Sequence, residues 1–211
     1  MNNSVSNTAR LLGAGLRALL VLTVLCGVLY PLAVTGIAQA AFNDRADGSE
    51  IKDSGGRVVG SALIGQQYGD DLRWFQPRPS AGLAANTENT RYGLLVSGAS
   101  NKAADNPDLV EAVTAARAKV LADNTVPGYT PQPSRIPADA VTSSGSGLDP
   151  HISPAYAELQ VHRVAERNRL GVRQVEELVR DHTEGRTLGF LGEPRVNVLE
   201  LNTALRDLAE K

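Results

Sequence analysis

Cysteine, methionine and tryptophan each occur once in the 211 residues, and aromatic side chains make up only 4%. The lone thiol, Cys26, excludes an internal disulfide framework, so stability has to come from ordinary packing or from partner chains. It also leaves thiolate-rich metal sites without ligands. Scarce aromatics beside 20 glycines suit a core of small side chains and many turns. An excess of positive charge is missing too: 21 basic residues face 23 acidic ones. Nucleic-acid binding rests on neutralising phosphates, and such a surface is poorly suited to it. There is no internal repeat, no G-x-x-x-x-G-K-[ST] phosphate loop and no G-x-S-x-G nucleophile elbow.

What is present first is a run without charge from Ala18 to Phe42, preceded by Arg10 and Arg17 and followed by Asp44, Arg45, Asp47 and Glu50. At ~1.5 Å per residue a helix of this length covers roughly 35 Å, enough to cross a hydrocarbon core of about 30 Å. The charges on its N-terminal side are positive and no acidic residue precedes it. The positive-inside bias therefore predicts residues 1–17 in the cytoplasm, a transmembrane helix over 18–42 and an extracytoplasmic domain over 43–211. Ala38-Gln39-Ala40 has the form of a signal-peptidase site, but a signal's apolar region usually spans about 7–15 residues, so an uncleaved anchor is expected. Small residues along the helix, among them Gly36 and Ala40, suit close packing with other helices in lipid.

Residues 1–10 are polar and are expected to lack order. Beyond the span, Arg57–Ile64 and Arg91–Ser100 read as short strands. Prolines at 77 and 79 exclude regular helix there. Asn106-Pro107 predicts a capped helix to Asp123-Asn124, with Leu109, Val110, Val113, Ala116, Val120 and Leu121 on one stripe. Residues 125–150, with Pro127, Pro131, Pro133 and Pro137, read as a long loop, and such loops are usually functional or braced by a partner. A helix from Pro154 to Leu170 follows Ser153 and is expected to stop at Gly171. Helices over Val172–His182 and from a capped start at Asn197 follow, with an irregular stretch at Thr183–Val196. Short strands and then helices give one transmembrane helix followed by a single α+β domain.

Candidate chemistry is sparse. Glu158 and His162 share a helix face, but spacing supplies no third ligand. His151 follows Asp149-Pro150, close in sequence to Ser143, Ser144 and Ser146, without the spacing of a triad. The stretch Ser143-Ser144-Gly145-Ser146-Gly147 has the composition of an anion-binding turn and equally of a flexible turn ahead of a capped helix. Catalytic and metal residues are therefore none, and no cofactor is assigned to this chain.

Several stretches, in order, carry a family likeness: Gly60-Ser-Ala-Leu-Ile-Gly-Gln66, Phe75-Gln-Pro-Arg-Pro-Ser80, Ser97-Gly-Ala-Ser-Asn101 and Asn106-Pro107. They are followed by the long blocks Pro137–Pro154 and Leu191–Asn202. With one N-terminal helix ahead of them, the chain resembles the C subunit of the bacterial Kdp potassium pump. The resemblance implies an accessory, non-catalytic subunit in the cell inner membrane. Its partners would be a channel-like potassium-translocating subunit and a P-type ATPase subunit, in a complex that uses ATP and transports K⁺. It implies further a catalytic-chaperone role, raising the ATP affinity of the ATPase subunit, and invites comparison of Ser143–Gly147 with the signature loop of ABC transporters, although Leu148 stands where that loop has glutamine. Arg78, Asn101, Asp149, His151 and Arg195 are the polar residues expected at the subunit interface or bracing its loops. Two rival readings are a secreted hydrolase released after Ala40 and an outward-facing module for a small ligand or metal.

Overall fold

The computed structural model describes residues 3–80 and 97–210. The chain divides into two units, Met1–Ser49 and Glu50–Lys211. The first is helical: α1 (Asn3–Val24), a π turn (Leu25–Leu29), α2 (Tyr30–Ala41) and a single turn, α3 (Asn43–Ala46). Helix thus begins at Asn3, inside the polar stretch expected to lack order, because it continues from the apolar run without a capping break. One stretch among the described residues, Val5–Ala41, is long and apolar enough to cross a membrane, and its most apolar window is wholly exposed. The π turn has a local cause. Pro31 has no N–H to give the Gly27 carbonyl, and just before it the Tyr30 N–H reaches back five residues to the Leu25 carbonyl.

The second unit opens with an antiparallel hairpin, β1 (Glu50–Lys52) and β2 (Val58–Ser61), whose register slips between Ile51 and Lys52. The expected strand over 57–64 is therefore shorter, ending in a turn after Ser61. Of the expected strand at Arg91–Ser100, residues 91–96 lie outside the described residues, and Ser97–Ser100 have no regular structure. Helix α4 (Pro107–Asn124) starts where Asn106 Oδ1 accepts the Asp108 N–H at 3.0 Å. Its apolar stripe is only partly covered: Val120 is buried, whereas Val110 is 54% exposed. Only the last turns of α4 meet the core.

The loop over 125–150 contains two 3₁₀ turns, Pro133–Arg135 and Ala138–Ala140. It leads to β3 (His151–Ile152) and then α5 (Pro154–Asn168), capped by Ser153 Oγ on the Tyr156 N–H at 3.1 Å. Helix α5 ends two residues earlier than expected, with Arg169 at φ +58 and the Leu170 N–H returning to the Ala165 carbonyl at 2.9 Å. Gly171 does not stop α5; it caps α6 (Val172–Asp181), its N–H bonded to Gln174 Oε1 at 2.9 Å. The stretch expected to be irregular carries two short strands at its ends, β4 (Thr183–Glu184) and β5 (Arg195–Asn197). Strand β5 lies between β3 and β4, antiparallel to both. Asn197 then caps α7 (Val198–Ala209) through the N–H groups of Leu199 and Glu200.

The core is formed where α5, α6, α7 and β5 meet. Ala157, Val164, Val175, Val196, Leu201 and Leu205 are sealed from solvent, and Phe75 joins them from the proline-rich segment. The helices are amphipathic in the pattern their sequences predict, and burying that stripe is what stabilises this mixed α+β unit.

Candidate functional site

The segment Leu72–Ser80 cannot form a helix or a central strand, yet it crosses the core, so its backbone needs hydrogen-bond partners from elsewhere. Three side chains supply them. Asn202 on α7 accepts the Phe75 N–H and donates to the Phe75 carbonyl, both at 2.9 Å. Gln160 on α5 does the same for Gln76, at 2.7 and 3.1 Å. The two primary amides thus replace one strand of a sheet.

Arg163, fully buried, completes the clamp. Its guanidinium donates to the Leu72 carbonyl, to the Trp74 carbonyl at 2.9 Å, to Gln160 Oε1 at 2.6 Å and to Asn124 Oδ1 at 2.9 Å. Desolvation lowers its pKa to about 10, which leaves it cationic at neutral pH. A buried cation solvated by neutral carbonyls and amides locks three segments of sequence together.

The clamp fixes where Arg78 can reach. Pro77 and Pro79 hold the chain extended on either side of it. Its guanidinium meets Asp149 Oδ2 at 3.1 Å and the carbonyls of Thr142 and Ser143 at 3.4 Å. Asp149 in turn accepts the His151 backbone N–H at 2.9 Å, with the imidazole Nδ1 3.4 Å away. The His151 ring and the Arg78 guanidinium hold the Asp149 carboxyl down at about 2 against partial burial. Arg78, Asp149 and His151, chosen from sequence, therefore form one braced group.

The group pins one side of the loop Ser143–Gly147, and other contacts pin the rest. The Ser146 carbonyl accepts from Ser97 Oγ at 3.0 Å and from the Gly98 N–H at 2.8 Å. The Gly65 N–H reaches the Leu148 carbonyl at 2.8 Å. Within the loop, the Gly147 N–H bonds to the Ser144 carbonyl and the Leu148 N–H to Ser146 Oγ. Gly147 sits at φ +70, open to glycine without strain, and Ser144 is buried. Asp139, accepting from both Ser153 N–H (2.7 Å) and Ser153 Oγ (2.9 Å), ties the loop's approach to the start of α5.

This arrangement is a turn whose Ser143, Ser144 and Ser146 carbonyls are engaged with the chain itself. An anion cradle needs convergent, unoccupied N–H groups. Here the Gly147 N–H already donates to the Ser144 carbonyl, and the nearby guanidinium is turned onto carbonyls and the Asp149 carboxylate. Ser143, Gly145 and Ser146 are the exposed positions at the outer edge.

The other two chosen residues lie apart from the brace. Asn101 sits in an exposed turn ahead of α4 at φ +51, and Arg195 on β5 pairs with Glu184 on β4 at 2.9 Å. His162 stacks on the Tyr129 ring at 3.8 Å, while Glu158 is exposed, a surface arrangement rather than a ligand set. Sequence reasoning missed Gln160, Arg163, Asn202 and Asn124. The available signal was a polar residue at inward helical positions, Gln160 and Arg163 between Ala157 and Val164, where water-exposed side chains do not fit the stripe.

Comparison with known proteins completes the site's context. Residues 12–207 match the family described as KdpC, K⁺-transporting ATPase, c chain. A potassium-transporting ATPase KdpC subunit of Streptomyces avermitilis is 62% identical, over 99% of this chain and 98% of that relative. Its counterpart in Streptomyces coelicolor is 60% identical over 99% of this chain and 97% of its own length, and that of Geotalea uraniireducens 48% over 90% and 94%. The chain belongs to the KdpC family. Members are non-catalytic subunits of the Kdp K⁺-transporting ATPase complex. The pinned loop, the clamp and the capped helices all fall inside the matched KdpC region. Neither the secreted hydrolase nor the ligand-binding module finds support in these likenesses.

Proposed function

We propose that this KdpC chain is an accessory subunit of a potassium-importing ATPase. It is anchored by the helix at 18–42, with residues 1–17 in the cytoplasm and the domain over 43–211 outside. There the braced loop around Ser143–Gly147 docks on the channel-like subunit. The observation that carries the docking is the brace itself: Arg78, Asp149 and His151 hold a solvent-facing turn in one conformation. A preordered turn loses little entropy when a partner covers it. Arginines before the apolar run and none of the acidic residues there support the orientation. Asn101 and Arg195 extend the same role as polar rim contacts.

A raised ATP affinity of the P-type ATPase subunit is the finer part of this reading. It rests on family likeness, and an outside domain would have to exert it through its helix and neighbouring chains rather than by touching ATP.

A pull-down in mild detergent from the native membrane tests the assembly. Recovery of this chain with a large channel-like protein and a P-type ATPase is expected; recovery alone overturns the proposal. Protease shaving of intact cells should remove the C-terminal domain and spare the N-terminus. The KM for ATP of the complex with and without this chain tests the chaperone role, with a lower KM expected when it is present.

A further inference from the structure

Pro31 is the one proline in the apolar run at 18–42, and it takes a hydrogen-bond donor out of the helix. The carbonyls of residues 24, 25, 26, 27 and 28 can draw on the N–H groups of residues 28, 29, 30 and 32 alone, so five acceptors share four donors. The π turn decides which acceptor goes without. In α-helical spacing the Cys26 carbonyl would take the Tyr30 N–H, but that group bonds to the Leu25 carbonyl. In π spacing its donor would be Pro31, which has none. Among the described residues, neither spacing gives the Cys26 carbonyl an N–H. At ~1.5 Å per residue it lies roughly 12 Å along the helix from Ala18 and roughly 24 Å from Phe42, well inside the hydrocarbon. Lipid tails carry no donor, so an open acceptor at this depth calls for one from another protein segment. Beside it Gly27 has no side chain, and a Cβ there would meet only Thr23 Cγ2 at 3.9 Å, so a neighbouring helix can come close.

We propose that the Cys26 carbonyl accepts a hydrogen bond from a serine, threonine, asparagine or glutamine side chain on a membrane helix of the channel-like subunit; the inference rests on the docking of the outer domain on that subunit. The donor is neutral, because one neutral carbonyl cannot balance an ammonium or guanidinium buried in lipid. The tether selects the subunit. Only residues 43–49 join the apolar run to the second unit, which begins at Glu50. Fully extended, that link reaches roughly 28 Å, about the width of three helices at most. A domain seated on the channel-like subunit therefore keeps this helix at the same subunit's flank.

The chain's single cysteine allows a direct test, since [1-¹³C]cysteine labels this one backbone carbonyl and its amide I band reports hydrogen bonding. The labelled full chain is measured in vesicles, alone and assembled with unlabelled partner subunits. The band should move to lower wavenumber on assembly. Pro31→Ala returns an N–H to the helix; its band should be low already in the chain alone, and it should hold the channel-like subunit about fivefold less tightly in a detergent titration. Photo-activated benzoylphenylalanine in place of Tyr30, which is largely exposed, identifies the neighbour in the native membrane. A cross-link to the channel-like subunit is expected; cross-links confined to lipid, to a second copy or to the ATPase subunit overturn the proposal. So does a band that stays in place on assembly, or one that is low in the unsubstituted chain alone, where water or a second copy is the donor. These outcomes leave the subunit reading intact, whereas failure of the unsubstituted chain to bring down the channel-like subunit removes that reading and the inference together.

Discussion

Arg163 and Leu188 are opposite departures from the ordinary distribution of side chains. The first is a cation with no solvent exposure; the second is a leucine 79% exposed in a turn that disfavours it. Arg163 is fully answered inside the chain, by Leu72, Trp74, Gln160 and Asn124. Leu188 is answered by nothing within it. The contrast teaches where each residue's cost is met: a satisfied buried polar group is supported by the fold of its own chain, whereas an apolar group displayed at a positive φ draws no support from it.

The sharpest way to break the contrast is Arg163→Met. It leaves two carbonyls and the Asn124 amide oxygen without donors and takes from Gln160 Oε1 one of its two, and the loss in unfolding free energy should be on the order of 4 kcal/mol. Trp74, the one tryptophan, sits in the clamped segment and reports urea unfolding by its fluorescence. A loss below about 1 kcal/mol would mean that the clamp is ornamental. Next comes Asn202→Leu, which removes both hydrogen bonds to Phe75 and should cost about 2–3 kcal/mol in the same measurement. Asn202→Asp, keeping only the acceptor, should fall between it and the native chain.

Asp149→Asn should cost ~1.5 kcal/mol at neutral pH, because Arg78 and His151 lose their carboxylate. The sign of its pH dependence is fixed. The folded-state pKa of Asp149, about 2, lies below the ordinary 3.8, so its contribution is complete above 3.8 and is lost as pH falls toward 2. The difference in stability between native chain and variant should therefore shrink over that range; a constant difference would show that the carboxylate's charge is irrelevant to the brace. Leu188→Asn closes the series with a gain of about 0.5–1 kcal/mol for the chain alone, measured by the same unfolding curves. A loss of stability there would place Leu188 with Arg163, among residues that serve their own fold.

Helix starts were legible because their signals are local. Asn106, Ser153 and Asn197 each cap the helix that follows, and Pro107 and Pro154 occupy first turns as expected. The inward stripe of α5 was legible for the same reason. The clamp was not, since Arg163 finds its partners 91 and 89 residues away and nothing in a local pattern announces that pairing. Strands β4 and β5 escaped notice because two or three residues are too few to show an alternating period. Gly171 misled because Arg169 adopts the left-handed conformation usually left to glycine. Of the site residues, Arg78, Asp149 and His151 could be chosen from composition and neighbourhood, but their mutual contact depends on the extended path between Pro77 and Pro79.

The π turn at Leu25–Leu29 has a geometric consequence for the whole anchor. One additional residue within a turn advances the phase of everything after it by about 100°. Gly13 and Gly15 below it, and Gly36 and Ala40 above it, therefore do not line up on the azimuth that an unbroken helical wheel assigns them. A neighbour that grips the half before the π turn along one meridian meets a different longitude past Pro31, so this single rod can turn separate cheeks to two companions.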